Sequence, residues 1–173
     1  MNYSKIKFLT FFAIICSIGL APINDAYAAV DTWTDATTTN VGSTQMRAVS
    51  MTDASNGVAV GYSGKIVRTT NGGVTWTAAA TFGGIGGSHI NGVSMSDASN
   101  GVAVGYHGKI VFTTNGGVDW TAATTTNVGT SIVMYGVSMS DASNGVAVGS
   151  TGTIVYTSDG GVTWTAAATT NVG

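Results

Sequence analysis

Beyond residue 45 the hydrophobic residues of this chain fall in short runs, each cut off by glycine and polar turn residues. The run Val58-Ala59-Val60 is closed on both sides by Gly57 and Gly61. It is apolar at consecutive positions, which is the mark of a strand covered on both faces. Asn56-Gly57 precedes it and Asn71-Gly72 follows, and such dipeptides supply the backbone that tight hairpins need. Glu is absent from the chain and Leu does not occur after Leu20, so two strong helix formers are missing where the pattern is clearest. The pattern predicts four strands: A over Met46–Met51, B over Val58–Gly61, C over Lys65–Thr70 and D over Thr75–Ala79.

This layout recurs over Ile90–Ala123 and Met134–Ala167. Ser50 to Thr77 reads SMTDASNGVAVGYSGKIVRTTNGGVTWT, and Ser94 to Thr121 reads SMSDASNGVAVGYHGKIVFTTNGGVDWT, matching at 24 of 28 positions. Ser138 to Thr165 is a third copy. Trp33, Trp76, Trp120 and Trp164 follow one another at spacings of 43, 44 and 44. Asp31 to Gly42 holds only the Trp end of the pattern, and TTNVG recurs at 38–42, 125–129 and 169–173, so the chain stops at a repeat boundary.

Four-stranded antiparallel units at a period of about 40 to 50 residues predict all-β propeller blades. An all-β solenoid of three sheets is the alternative with the same period. The expected division is residues 29–45 as a leading partial repeat that contributes an outer strand, 46–89 as blade 1, 90–133 as blade 2 and 134–173 as blade 3.

The expected C–D turns carry a motif. Thr69-Thr70-Asn71-Gly72-Gly73-Val74-Thr75-Trp76 resembles the Asp-box, Ser-x-Asp-x-Gly-x-Thr-Trp. Its second copy holds Asn115, Gly117 and Trp120, with Asp119 in place of the Thr; its third holds Asp159, Gly161 and Trp164. Together with the spacing of the glycines before it, the motif resembles the photosystem II assembly/stability factor-like family of propellers. Sialidases, sortilin and xyloglucanases share the box. The resemblance covers the chain from Trp33 onward and implies a propeller that assists assembly through a protein partner. The box itself is a structural turn in these families. Its physical basis is an Asx side chain accepting from backbone N–H groups of its own turn, a glycine in a conformation other residues avoid, and a Trp folded under the loop.

The first 28 residues read differently. Lys5 and Lys7 precede an apolar stretch from Phe8 to Ala21, Pro22 breaks it, and Ala26-Tyr27-Ala28 offers small residues for cleavage. At under about 20 residues the stretch is short for a membrane span, and the pattern is that of a secretory signal peptide over 1–28. Cleavage removes Cys16, the one cysteine, and leaves no membrane span. Bulky Ile15 before that cysteine argues against a lipoprotein. The expected location is the cell envelope or the exterior.

Composition narrows the function. The net charge is −2 and no Lys/Arg cluster is present, so a nucleic-acid partner is not expected. Gly is 25 of 173, well above the usual share of about 7%, in keeping with a turn-rich chain. No cofactor or metal is expected: Asp53, Asp97 and Asp141 lie in A–B turns of the form DASNG, which lack calcium-loop spacing. No catalytic group is expected either. A sialidase-like site would need an arginine cluster and a Glu, and a glycosidase needs two carboxylates facing one bond. The acids here recur once per repeat as turn residues, and His89 and His107 read as solvated loop residues.

Near-identical repeats mark where function could sit, because positions that differ are not demanded by the blade. They gather on the face shared by the B–C turns and D–A loops. Tyr62, Tyr106, His107, Arg47 and Tyr135 are the candidate ligand-binding residues. The expected partner is a protein or a second copy of the chain, with a glycan as the alternative on the Tyr-bearing face and a degenerate glycosidase-like propeller fragment as the further alternative. Three blades are fewer than the four to eight or so of a closed ring. The chain is therefore expected either to close a six-bladed ring as a dimer or to be part of a longer propeller.

Overall fold

The computed structural model describes residues 40–126 and 128–168. The expected signal peptide, its cleavage site, Trp33 and the leading outer strand lie outside the described residues.

Three antiparallel meanders follow one another. The first comprises β1 (Met46–Met51), β2 (Gly57–Gly61), β3 (Ile66–Thr69) and β4 (Thr77–Ala78), hydrogen-bonded in that order. The second comprises β6 (Ile90–Met95), β7 (Gly101–Gly105), β8 (Ile110–Thr113) and β9 (Asp119–Ala122). The third comprises β11 (Met134–Met139), β12 (Gly145–Gly149), β13 (Ile154–Thr157) and β14 (Thr163–Ala166). The hairpin expected at each Asn-Gly pair does not form there: Gly57, Gly101 and Gly145 are already in strand without positive φ, and the first reversal is a turn closed by Asp53, Asp97 or Asp141, whereas Gly-Gly pairs with positive φ make the reversal after each β3-type strand.

Two short strands were not expected. β5 (Thr81–Phe82) pairs parallel with β9, and β10 (Thr124–Thr125) pairs parallel with β14. Each lies in a connection that reads from sequence as a plain D–A loop. The chain leaving one blade thus adds a fifth strand to the outer edge of the next, so that the edge left open is only two residues long. This pairing draws Asp119 and Thr163 into strand, whereas the first blade's fourth strand is shorter than the expected Thr75–Ala79.

Packing follows the alternation of side chains along each strand. Val58 and Val60 of β2, with Ile66, lie in one buried cluster with Val93, Ala103, Val111 and Trp120 of the second blade. The opposite face of the second blade repeats this: Val102, Val104 and Ile110 pack with Ala147, Val155 and Trp164 of the third. Alanine in the middle of the second strand keeps that side thin, so neighbouring sheets approach closely. Ile85, from the connection after β5, is fully buried in the first cluster. It sits beside Gly64, where an added Cβ would lie 2.9 Å from its side chain.

Candidate functional site

Each first strand carries a bulge near its start. Met46 pairs with Gly61 and Ala48 with Val60, so Arg47 is the extra residue. The same irregularity falls at Asn91 in β6 and at Tyr135 in β11. A bulge re-aims the side chain it carries. Here it sets three different residues, Arg47, Asn91 and Tyr135, at one repeated position.

Adjoining turns complete the face. Tyr62 opens the single 3-10 turn Tyr62–Gly64, and Tyr106 opens Tyr106–Gly108. Their central residues, Ser63 and His107, have φ of 54° and 59°, and Thr151 has 56° at the matching place. All three repeats share this left-handed residue, so it belongs to the turn rather than to a site.

The side chains form one connected group. Arg47 Nη1 donates to Asn91 Oδ1 at 2.7 Å, and Nη2 donates to the Tyr62 hydroxyl. The guanidinium carbon lies 4.3 Å from the Tyr62 ring centroid and 6.0 Å from that of Tyr106. Asn91 Nδ2 donates to the Met134 carbonyl of the third blade at 2.7 Å. His89 stands edge-on between Tyr62 and Tyr106, at 4.2 and 5.2 Å between centroids, and its Nδ1 accepts from the Ser63 N–H at 3.0 Å. Tyr106 in turn meets His107, whose Nδ1 is 3.2 Å from Ser88 Oγ.

Gln45, Met46, Arg47, Tyr62, Asn91 and Tyr135 line an open depression of about 410 Å³. Both hydrogen-bond partners of Arg47 are neutral, so its charge is available to a ligand. Its pKa is raised above the ordinary arginine value, chiefly by the hydrogen bond to Tyr62.

The structure thus brings Arg47, Tyr62, Tyr106 and His107 into one chain of contacts, and Tyr135 lines the same depression. Two residues escaped the sequence reading. His89 is half-buried at the centre of the group rather than solvated in a loop. Asn91, which begins the second A strand where Arg47 and Tyr135 begin the others, was not among the candidates although it differs between repeats like them; it orients the arginine.

The opposite face is built from turns that satisfy themselves. Asp53 Oδ1 accepts from the Ser55 and Asn56 N–H groups at 2.7 and 2.8 Å, and Oδ2 accepts from Asn56 Nδ2 at 2.9 Å. Asp97 and Asp141 repeat this arrangement. The Asn side chain and the two N–H groups hold all three carboxyls below the ordinary range.

In the turns before each Trp, an Asx oxygen organises the loop. Asn71 Oδ1 accepts from the Thr75 N–H, and Thr69 Oγ1 accepts from the Gly73 N–H, both at 2.9 Å. Asn115 Oδ1 accepts from the Asp119 N–H and Asp159 Oδ1 from the Thr163 N–H at 2.9 Å each. The Asp159 carboxyl is also held low, first by Thr163 Oγ1 donating to it. Trp120 and Trp164 are fully buried, and their indole N–H groups donate to Gly117 and Gly161 carbonyls. Trp76 is half-buried. Among the described residues no three His, Cys, Asp or Glu side chains converge as metal ligands, and no helix is long and apolar enough to cross a membrane.

No protein-family model matches the chain, and no curated protein matches it. Solved structures do. A structure of YCF48 bound to a D1 peptide superposes with a TM-score of 0.62 at 23% identity, covering 71% of this chain and 40% of that one. YCF48 from Cyanidioschyzon merolae gives 0.60 at 22%, covering 71% and 39%. An ancestral GH74 enzyme gives 0.58 at 16%, covering 73% and 19%. The chain thus spans about two fifths of the YCF48 structures it matches. At these identities the likeness establishes the fold, a β-propeller of which this chain supplies an incomplete ring of antiparallel blades.

Proposed function

We propose that this chain is a non-catalytic interaction module that binds a segment of a partner protein on the face built from Arg47, Tyr62, Asn91 and Tyr135. The observation that carries the reading is the arginine. It is exposed, oriented by two neutral partners from separate elements, and set above an open depression. A planar guanidinium held in this way suits a carboxylate of a peptide, and the flanking Tyr and His edges suit its apolar groups. The YCF48 structure with a D1 peptide supports protein-segment binding as the mode.

The non-catalytic reading rests on the acids. Asp53, Asp97, Asp141 and Asp159 are each engaged within their own turn, and carboxyls held at low pKa do not serve as general acids near neutral pH. We read the turns before Trp76, Trp120 and Trp164 as Asp-boxes with a structural role. Export through a signal peptide over 1–28 is part of the same proposal, supported by the charge and apolar pattern of that segment.

A glycan on this face is disfavoured because the guanidinium already lies over the Tyr62 ring, the surface on which a sugar would stack. Selection of phage-displayed peptides against the purified protein tests the choice. The expected result is a family of binders whose affinity falls at least tenfold with Arg47→Ala. Binders indifferent to Arg47→Ala would overturn it, as would glycan-array binding abolished by Tyr62→Ala.

A further inference from the structure

The third strand of each blade carries a different residue at one repeated position. Arg68 of β3 pairs with Val58, Phe112 of β8 with Val102, and Tyr156 of β13 with Val146. Paired residues of neighbouring strands share a face of the sheet, and Val58 belongs to the buried cluster between the first and second blades. Arg68 therefore faces the second blade and is half-buried there. Phe112 faces the third blade in the same way and packs against the buried cluster of that interface. An apolar ring thus suffices at this place, and the blade itself does not require an arginine.

Around Arg68 the two blades leave a cavity. Its volume is about 130 Å³. An engineered cavity of roughly 150 Å³ holds benzene, so the space suits a small molecule. Thr52, Asn56, Arg68 and Thr70 line it from the first blade, and Ala98 and Asn115 from the second. Arg68 is the one charged residue among the described residues of the lining. The other polar groups are engaged: Thr52 Oγ1 donates to the Asn56 carbonyl at 3.3 Å, Asn56 Nδ2 to Asp53 Oδ2 at 2.9 Å, and Asn115 Nδ2 to Asp119 Oδ2 at 3.0 Å. Among the described residues the Arg68 guanidinium has no carboxylate partner, and neither it nor the Thr70 hydroxyl has a hydrogen-bond acceptor.

We propose that this cavity binds a small carboxylate anion, held by the forked guanidinium of Arg68 and the hydroxyl of Thr70. A half-buried charge without a partner is costly, and a carboxylate in the cavity supplies both the counter-charge and the missing acceptors. Charge also selects the ligand. The turns at the cavity carry Asp53 and Asp97, next to Thr52 and Ala98, and Asn115 is bonded to Asp119. A dianion such as phosphate meets these like charges with twice the repulsion, whereas a monoanion is matched by the single arginine. The site stands among the turns opposite the Arg47 face, and it does not rest on the peptide reading.

Nuclear magnetic resonance on the purified protein tests it. The chain has two arginines, so the Nε–H signals are few, and the one lost in Arg68→Phe belongs to Arg68. That variant copies the second blade at this place; should it fail to fold, Arg68→Gln serves instead. Titration with acetate is expected to move the Arg68 signal to saturation, while sodium chloride at equal ionic strength leaves it near its place and phosphate binds more weakly than acetate. An Arg68 signal that acetate does not move to saturation would overturn the proposal, as would phosphate binding more tightly. The Arg47 signal reports the peptide face separately, so failure at one arginine is distinct from failure at the other. Where the Nε–H signal exchanges too fast to be seen, thermal unfolding decides. Acetate should raise the wild-type midpoint beyond what chloride does, and Arg68→Gln should shrink that rise; an unchanged rise would overturn the site.

Discussion

Arg47 and Asn91 occupy the same bulge position in neighbouring blades, and Nη1 of the arginine donates to Oδ1 of the asparagine at 2.7 Å. A repeat that differs between copies thus builds something that identical copies would not. Two arginines at these positions would repel, and two asparagines would leave the depression without a charged lining residue.

The orientation of Arg47 should therefore depend on its neighbours. Tyr62→Phe removes one acceptor and keeps the ring, so peptide affinity should fall about tenfold or less, the worth of roughly one hydrogen bond to a charged group. Arg47→Lys keeps the charge but loses the fork, and should cost more than Tyr62→Phe. Titration calorimetry with a selected peptide measures both.

The second blade departs from its neighbours at Asp119, and the structure explains it. Asn115 Nδ2 donates to Asp119 Oδ2 at 3.0 Å, whereas in the third blade Thr163 Oγ1 donates to Asp159 Oδ2 at 2.6 Å. Asn115→Asp alone should set two carboxylates against each other and lower stability at neutral pH by about 1 kcal/mol. Adding Asp119→Thr should restore it by recreating the third blade's pair. A double-mutant cycle in urea that shows additive losses would contradict this pairing.

Blade packing should be sensitive at the glycine under each buried Trp. Gly161 has φ of +89° and backs onto Val102, so Gly161→Ala meets both backbone strain and overpacking. The loss should be at least about 2 kcal/mol. Gly136→Ala is the control, because its added Cβ would meet only Val148, at 3.9 Å. Its effect should stay within about 0.5 kcal/mol. Thermal unfolding of both variants makes the comparison.

Acid should weaken the fold through the turn carboxyls. Asp53, Asp97, Asp141 and Asp159 all bind protons more weakly folded than unfolded. Their contribution is present above the unfolded carboxyl value and is lost as pH falls below about 4 through the folded values. Unfolding midpoints measured from pH 6 to pH 2 should drop over that window. Replacing the three A–B turn residues by Asn should flatten the drop, since an amide oxygen can still accept from the backbone but does not titrate.

Local chemistry made much of this molecule legible in advance. The strands of each blade, the Gly-rich reversal before each Trp, the turn role of Asp53 and its repeats, and the face on which copies differ all follow from contacts within one repeat. Such contacts span few residues and depend on residue type, so a period near 44 displays them directly. Tertiary structure decided what depends on neighbouring blades. It turned the connections at Thr81 and Thr124 into parallel outer strands and buried Ile85 under the Gly64 turn. It also placed His89 between two tyrosines and joined Arg47 to Asn91. Those pairings link residues of adjacent blades or, for Ile85 with Gly64 and His89 with Tyr62, a blade with its own outgoing connection, and local residue type does not specify the distance between them. The burial of Trp120 and Trp164 against the half-exposure of Trp76 makes the same point: the motif is one, and the difference is whether a blade stands in front of it.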